Sequence, residues 1–234
     1  MEKNSITQRQ IITTEDGSSS LKLCHFNEQF HSIHGAMRES MHIFINTGLK
    51  SFSQRRISVF EMGFGTGLNA LLTLLYSMDK QVDYYAIEAF PLNENEYLSL
   101  NYVDLVYAQT KEFSSFSKKE LHDFFLTMHQ SESGKTVQIT PNFHFNKEII
   151  RLEDKIFKNQ IFDIVYFDAF SPETQPELWE YQIFEKIYAA MSKGGVLITY
   201  CAKGVVKRTL KKIEFTVESL PGTVGKREII RVVK

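Results

Sequence analysis

The most constraining feature of this sequence is the run 61–69, in which glycine stands at three alternate positions, Gly63, Gly65 and Gly67. An apolar stretch leads into this run, and a second apolar stretch with helical spacing follows it. A strand that enters a helix through a glycine-rich turn begins a β-α-β unit, and the glycines let the backbone turn tightly and approach a ligand closely. The run therefore predicts a ligand site at the carboxyl end of a parallel strand.

The spacing of the glycines distinguishes between two cofactors. A dinucleotide site has the pattern G-x-G-x-x-G, whereas here the third glycine comes one residue earlier and an acid, Glu61, precedes the first. Both differences favour S-adenosyl-L-methionine over NAD. Free N–H groups at the start of the following helix suit the carboxylate of this cofactor, and Asn69 would cap the helix or reach the same carboxylate. The alternative is a tight strand-to-helix turn without a ligand.

Two more acids end predicted strands. Glu88 closes the strand 84–88, where a carboxylate can accept both hydroxyls of a ribose. Asp168 closes the strand 162–168, in the crevice where open α/β sheets bind ligands. A carboxylate there can orient an amine that attacks a sulfonium methyl group and can stabilise the charge left after transfer. The alternatives are a surface acid for Glu88 and a strand-end cap for Asp168.

Strands and helices alternate along most of the chain, which indicates a parallel sheet with crossover helices. One helix is expected over 93–107 and one strand within 137–145. The last two predicted strands, 215–220 and 228–233, lie close together and form a hairpin, as in methyltransferases of this fold. The sequence predicts an α/β fold of the Rossmann-like class I methyltransferase type. Its sheet would be mostly parallel and seven-stranded, with a C-terminal antiparallel hairpin.

The chain is expected to consist of an N-terminal segment, 1–50, that packs on a methyltransferase domain, 51–234. His31 and His34 stand close together in the first part, but no set of cysteines or carboxylates completes a metal site beside them. No metal is therefore predicted. We expect the segment 29–40 to fold over the cofactor pocket instead.

Charge is unevenly distributed along the chain. The net charge is −1, yet residues 203–234 contain nine basic residues and three acids. Such a segment can contact the phosphates of a polynucleotide, with Lys203, Lys226 and Arg227 as predicted contacts. The alternative is charge that only keeps the surface hydrated. Two cysteines and no apolar run long enough for a membrane span predict a soluble protein of the reducing cytoplasm.

Several short runs, taken in chain order, resemble the motifs of one family. They are His31-Ser32-x-His34-Gly35-Ala36-x-x-Glu39, Glu61-x-Gly63-Phe64-Gly65-Thr66-Gly67-Leu68-Asn69, Glu88-x-Phe90-Pro91-Leu92, Phe167-Asp168-Ala169-Phe170-Ser171-Pro172, Pro176-Glu177-Leu178-Trp179, Cys201-Ala202-Lys203-Gly204-Val205-Val206-Lys207-Arg208 and Gly225-Lys226-Arg227-Glu228. The chain resembles the MnmC-type methyltransferases, which complete 5-methylaminomethyl-2-thiouridine in tRNA. It is similar to their stand-alone form, which lacks the FAD-dependent oxidase half.

The resemblance implies N-methylation of the 5-aminomethyl group of (2-thio)uridine at the tRNA wobble position, with S-adenosyl-L-methionine as the methyl donor. It implies Asp168 as the catalytic carboxylate, the tRNA anticodon stem-loop as partner and a separate oxidase acting upstream. We expect Phe170 and Pro172 to border the acceptor. The sequence departs from the family between Phe143 and Asp154. Family members tend to carry an acid near the adenine there, and the run 143–148 gives no clean match, so the residue that holds the adenine is not identified.

The residues leave two alternatives open. An amine-directed transferase that acts on a small molecule, such as an aminopropyltransferase, would carry a similar sheet and similar acids, although the basic C-terminal segment argues against it. A cofactor-binding or RNA-binding module without catalysis would bind S-adenosyl-L-methionine but give no product on any tRNA.

Overall fold

The computed structural model describes residues 8–26, 28–158 and 161–234, so the first seven residues of the predicted N-terminal segment lie outside the described residues. The strands are β1 (Arg9–Thr13), β2 (Ser19–Leu23), β3 (Arg56–Met62), β4 (Gln81–Glu88), β5 (Thr136–Thr140), β6 (Phe143–Ile149), β7 (Phe162–Phe167), β8 (Met191–Thr199), β9 (Thr216–Pro221) and β10 (Glu228–Val233). The α-helices are α1 (Ala36–Ser40), α2 (Leu68–Tyr76), α3 (Glu94–Leu98), α4 (Tyr102–Thr110), α5 (Lys118–Gln130), α6 (Tyr181–Ala190) and α7 (Gly204–Lys212). A π-helical turn (Met41–Asn46) continues α1, and short 3-10 turns lie at Leu49–Ser51 and Pro176–Trp179.

The main sheet has eight strands in the order β5-β6-β4-β3-β7-β8-β10-β9. The strands β6, β4, β3, β7 and β8 are parallel to one another, and β10 runs antiparallel between β8 and β9. This arrangement confirms the predicted Rossmann-like α/β fold with its C-terminal antiparallel hairpin. The structure adds one edge strand, β5, which lies antiparallel to β6.

The extra strand arises because the predicted strand 137–145 is in fact a hairpin. Pro141 has no N–H group with which to continue a ladder, and Asn142 favours a turn. The chain therefore reverses between Thr140 and Phe143, which face each other across the two strands.

The predicted helix 93–107 is likewise divided, into α3 and α4. The side chain of Asn101, at the junction, accepts a hydrogen bond from the N–H of Ser19 (2.8 Å) and donates one to the carbonyl of Gly17 (2.8 Å). Its conformation is not helical. The break in the helix thus lies where the chain binds the turn between β1 and β2.

The sheet separates two apolar clusters. Alternate side chains of β3 enter different clusters, with Val59 in one and Phe60 in the other, as expected for strands that are covered on both faces. Residues of α2, α4 and α5 complete the first cluster, and residues of α6 and α7 complete the second. Within the described ranges, no helix combines the length and the apolar character that crossing a membrane requires.

The N-terminal pair β1–β2 is attached to the core by specific contacts. The hydroxyl of Tyr102 donates to the carbonyl of Ser19 (2.7 Å), and the guanidinium of Arg9 donates to the carboxylate of Glu96 (3.1 Å). Farther along, Phe44 of the π-helical turn packs on Tyr166 with ring centres 5.0 Å apart. The described residues before position 50 are therefore held against α3, α4 and β7 at separate points.

Candidate active site

A cavity of about 340 Å³ lies at the carboxyl ends of the parallel strands. Seven of the predicted site residues line this cavity: Gly63, Gly65, Asn69, Glu88, Asp168, Phe170 and Lys226. The predicted residues that lie outside its lining are Glu61, Gly67, Pro172, Lys203 and Arg227. Three strand ends, of β3, β4 and β7, thus converge on one cavity.

The turn after β3 strongly favours glycine at three positions. Gly63, Gly65 and Gly67 have φ angles of +87°, +49° and +75°, in the left-handed region that other residues rarely adopt. A Cβ atom on Gly63 would also lie 2.8 Å from the carbonyl oxygen of Asp168. The turn therefore brings bare backbone to the cavity wall and lets β3 approach the residue that ends β7.

Glu88, at the end of β4, fixes this turn from one side. Its Oε2 accepts a hydrogen bond from the N–H of Gly65 (2.7 Å), and its Oε1 accepts one from the N–H of Phe90 (2.8 Å). Because a carboxylate oxygen has two lone pairs, each oxygen can still accept a hydrogen bond from a hydroxyl of a ligand. Glu88 thus combines a structural role in the turn with free acceptor capacity at the cavity.

Asp168 is a partly buried carboxyl group whose protonation is poised near neutrality. Burial raises its pKa from 3.8 to about 7, and the negative charge of Glu39 adds to the increase. A hydrogen bond from Nδ2 of Asn69 to Oδ2 of Asp168 (3.0 Å) and the charge of Lys226 act in the opposite direction. Such a group can exchange a proton at physiological pH.

Glu61 lies beneath the cavity rather than in its wall. Its side chain is fully buried, and burial raises its pKa well above the usual range. Its polar neighbours are the side chains of Tyr84 and Asn69. Within the described residues, neither oxygen of Glu61 has a hydrogen-bond partner of good geometry, and neither does Oδ1 of Asn69. Glu61 is therefore a buried carboxyl, with a raised pKa, next to the amide that contacts Asp168.

Residues 28–34 and Glu39 form part of the cavity wall. The ring of Phe30 meets that of Phe170 edge to face, with centres 5.1 Å apart. Glu28 accepts hydrogen bonds from the hydroxyls of Ser171 (2.8 Å) and Thr174 (2.6 Å). These contacts join this part of the wall to the loop that follows β7.

An ion pair in the cavity wall joins the C-terminal part of the chain to α1. Lys226 forms an ion pair with Oε1 of Glu39, whose Oε2 accepts a hydrogen bond from the N–H of Ser32 (2.7 Å). The same ammonium lies 4.2 Å from the ring centre of Tyr200. Lys226, predicted from charge alone, therefore lies in the cavity wall and is held by an acid and an aromatic ring.

The remaining predicted residues lie around the cavity. Pro172 is partly buried and follows the lining residue Phe170, and Arg227 is exposed next to Lys226. Lys203 is exposed and forms an ion pair with Glu173.

The two histidines of the N-terminal segment have separate partners. Nδ1 of His31 lies 3.1 Å from the hydroxyl of Ser20, and Nδ1 of His34 lies 2.9 Å from the carboxylate of Glu15. Burial lowers the pKa of His31 to about 4, so its ring is neutral at physiological pH. Within the described ranges, no three metal-binding side chains form a group that could hold an ion.

The far end of the cavity is formed by the residues after β6. The run 150–153 lines it, including the carboxylate-bearing Glu153. Glu148, the last acid within β6, instead forms an ion pair with Lys155. Glu153 is thus an acid in the cavity wall after β6 that the sequence analysis did not single out.

Comparison with known proteins agrees with the geometry. Residues 111–234 match a protein family described as S-adenosyl-L-methionine-dependent methyltransferase. The tRNA 5-methylaminomethyl-2-thiouridine biosynthesis bifunctional protein MnmC of Pseudoalteromonas translucida is 25% identical, in a match that covers 88% of this chain and 33% of that protein. Its namesake from Campylobacter hominis is 30% identical, with 88% and 30% covered. The chain thus spans about a third of the length of these relatives.

The fold also has a counterpart among solved structures. The crystal structure of MNMC2 from Aquifex aeolicus superimposes with a TM-score of 0.75 at 22% identity, covering 97% of this chain and 70% of that one. At this identity the likeness establishes the fold. Together with the sequence matches, it confirms the resemblance to the MnmC-type methyltransferases.

Proposed function

Because the chain belongs to the family of S-adenosyl-L-methionine-dependent methyltransferases, we propose that it N-methylates the 5-aminomethyl group of (2-thio)uridine at the wobble position of tRNA. The product would be 5-methylaminomethyl-2-thiouridine. The names of the similar MnmC proteins support this choice of substrate. The observation that carries it is the placement of Asp168, with a pKa of about 7, beside the glycine turn in one cavity.

The cavity fits the cofactor of this family. Gly63 and Gly65 present backbone that a Cβ atom would obstruct, and Oδ1 of Asn69 is buried without a hydrogen-bond partner among the described residues. We assign Gly63, Gly65, Gly67 and Asn69 to the methionine part and Glu88 to the ribose hydroxyls. When bound, S-adenosyl-L-methionine supplies an electrophilic methyl group on a positively charged sulfur.

We assign Glu61 to the same site through Asn69 rather than by direct contact. The side chain of Asn69 is a polar neighbour of the Glu61 carboxyl, and its Nδ2 donates to Oδ2 of Asp168. Glu61 would thereby orient the two polar groups that border the reacting atoms.

Asp168 would act on the acceptor amine. A primary amine is an ammonium ion at neutral pH and must lose a proton before its lone pair can react. A carboxylate with a pKa of about 7 is matched to that transfer, because it is largely ionised above neutrality and still basic enough to accept the proton. Asp168 would also orient the amine by accepting one of its hydrogen bonds.

Aromatic side chains near Asp168 would hold the modified base. Phe170 and Tyr200 both line the cavity, and Phe30 packs against Phe170. Stacking of a pyrimidine on an aromatic ring is worth about 1–3 kcal/mol per base. Pro172, two residues after Phe170, would limit the movement of this loop.

Basic residues at the same edge of the sheet would contact the anticodon stem-loop. Lys203 directly precedes α7, at the carboxyl end of β8, and the loop that carries Lys226 and Arg227 enters β10, which is antiparallel to β8. All three residues therefore belong to the edge that bears the cavity. In the described part of the chain no salt bridge involves Arg227 or Arg208, so both guanidinium groups can pair with phosphates.

The wider assignments complete the proposal. The 5-aminomethyl substrate would be supplied by a separate oxidase acting upstream, and the reaction would take place in the cytoplasm. Residues 1–50 would form a segment that packs on a catalytic domain of residues 51–234.

The proposal is tested by product identification. The protein is incubated with methyl-labelled S-adenosyl-L-methionine and tRNA from a strain that lacks this activity, and the labelled nucleoside is identified after digestion. Label in 5-methylaminomethyl-2-thiouridine, and none with RNase-treated tRNA, is the expected result. Cofactor binding without any labelled nucleoside would indicate a non-catalytic module, and labelling that survives RNase would indicate a small-molecule acceptor.

A further inference from the structure

The glycine turn is also held by residues that do not line the cavity. His129, near the end of α5, places Nε2 3.2 Å from the carbonyl oxygen of Thr66, in the middle of the turn. A carbonyl can only accept, so the ring must donate, with its proton on Nε2. Burial lowers the pKa of His129 to about 3, and the charge of Lys147 adds to the decrease. The ring is therefore neutral and able to adopt this tautomer at physiological pH.

The imidazole ring is fixed by its neighbours. It stacks on Tyr97 with ring centres 4.6 Å apart and an interplanar angle of 17°. The rings of Phe64 and Phe125 meet it edge to face, with ring centres 5.0 Å and 4.6 Å from that of the imidazole. A Cβ atom on Gly67 would lie 3.0 Å from Nε2, so the close approach of ring and turn also needs a glycine.

Lys147 fixes the end of the helix that carries His129. Its side chain is 2% exposed, and its Nζ donates to the carbonyls of Met128 (2.9 Å) and His129 (2.5 Å). These are among the last carbonyls of α5, which have no partner within the helix. The ammonium also lies 4.9 Å from the ring centre of Phe64. One buried cation therefore joins the helix end to the glycine turn.

We propose that His129 is a positioning residue for the methyl-donor site. By holding the carbonyl of Thr66, it fixes the peptide between Thr66 and Gly67, in the same turn as Gly65, whose N–H donates to Glu88. The inference rests on the proposed use of this turn for S-adenosyl-L-methionine. Because His129 does not line the cavity, its loss should weaken cofactor binding and leave the step at Asp168 unchanged.

The test compares amides of two lengths. The amide nitrogen of His129→Gln can occupy the position of Nε2, whereas that of His129→Asn is too short to reach it, and His129→Phe keeps the ring without the donor. His122→Phe, at an exposed position of the same helix, is the matched control. Binding of S-adenosyl-L-methionine is measured by isothermal titration calorimetry, and kcat and both KM values are measured with tRNA.

A neutral hydrogen bond contributes about 1 kcal/mol, so we expect Kd for the cofactor to rise about fivefold in the Phe and Asn variants. The Kd of the Gln variant should stay within about twofold of the wild-type value, because the amide of Gln keeps the hydrogen bond to the carbonyl of Thr66. The kcat at saturating cofactor and KM for tRNA should not change in any variant. Equal Kd values for the Gln and Asn variants would overturn the inference. A wild-type protein that binds no cofactor would instead overturn the proposed function.

Discussion

Asp168→Asn should make the protein more stable at neutral pH while abolishing its proposed activity. Burial and the charge of Glu39 raise the pKa of Asp168 from 3.8 to about 7, so folding disfavours the ionised form. Asparagine has the same shape and no charge. Its Oδ1 can accept the hydrogen bond that Asn69 donates to Oδ2 of Asp168. The substitution thus removes a buried charge without removing the contact.

The size of the effect follows from the pKa difference between the folded and unfolded states. At about 1.4 kcal/mol per pH unit, the interval from 3.8 to about 7 sets an upper limit on the order of 4 kcal/mol. Because Asp168 is only partly buried, water reduces this, and we expect about 2 kcal/mol. The folded pKa is the higher one, so the favourable contribution of neutral Asp168 is complete below the unfolded pKa and is lost as pH rises towards 7.

The assay is urea denaturation of both proteins at several pH values between 4 and 8. The two curves of unfolding free energy against pH should coincide near pH 4. They should then diverge as the pH rises to 7, with the variant the more stable protein, and stay apart at higher pH. For a chain of this size, about 2 kcal/mol corresponds to a rise in Tm of about 4–8 °C. Asp154→Asn, at an exposed position, is the control and should follow the wild type. Parallel curves for Asp168→Asn and the wild type would refute the reasoning.

Three other substitutions test separate parts of the site. Glu39→Gln removes a negative charge that raises the pKa of Asp168, so the acid limb of the pH–kcat profile should move about 0.5–1 pH unit lower; an unmoved limb would argue that another group titrates. Gly63→Ala places a Cβ atom 2.8 Å from a carbonyl oxygen at φ +87°, and calorimetry should show cofactor Kd raised at least about tenfold, because the turn must shift. Arg227→Gln should raise KM for tRNA and reduce the slope of log KM against log salt by about 1 without changing cofactor Kd, whereas an unchanged slope would remove Arg227 from the contact surface.

The parts of the fold that follow from local patterns could be predicted. The apolar strand, glycine turn and helix of β3–α2 are encoded within about twenty neighbouring residues, as is common for β-α units. The C-terminal hairpin was equally evident, because two apolar runs are separated by a loop with Pro221 and Gly222. From these elements the sequence predicts which ends of the strands form the carboxyl edge of the sheet, and therefore that Gly63 and Asp168 lie at that edge.

The departures arise where a distant partner determines local structure. The division between α3 and α4 depends on Asn101, whose amide bonds Gly17 and Ser19. No window of sequence around Asn101 contains those partners, so helical spacing alone predicted one continuous helix. The hairpin β5–β6 differs, because Pro141 was a local signal of a break that the apolar spacing of the surrounding residues obscured.

The same distinction applies to the site. A strand-end carboxylate at position 168 can be predicted from the sequence, but its pKa cannot, because that depends on groups brought from both ends of the chain. Glu39 comes from α1 and Lys226 from the loop before β10, and the two form an ion pair beside Asp168. Since Glu39 raises the pKa of Asp168 and Lys226 lowers it, any ligand that draws Lys226 away from Glu39 would make Asp168 a stronger base. Glu39, which lines the cavity, therefore also influences the pKa of Asp168.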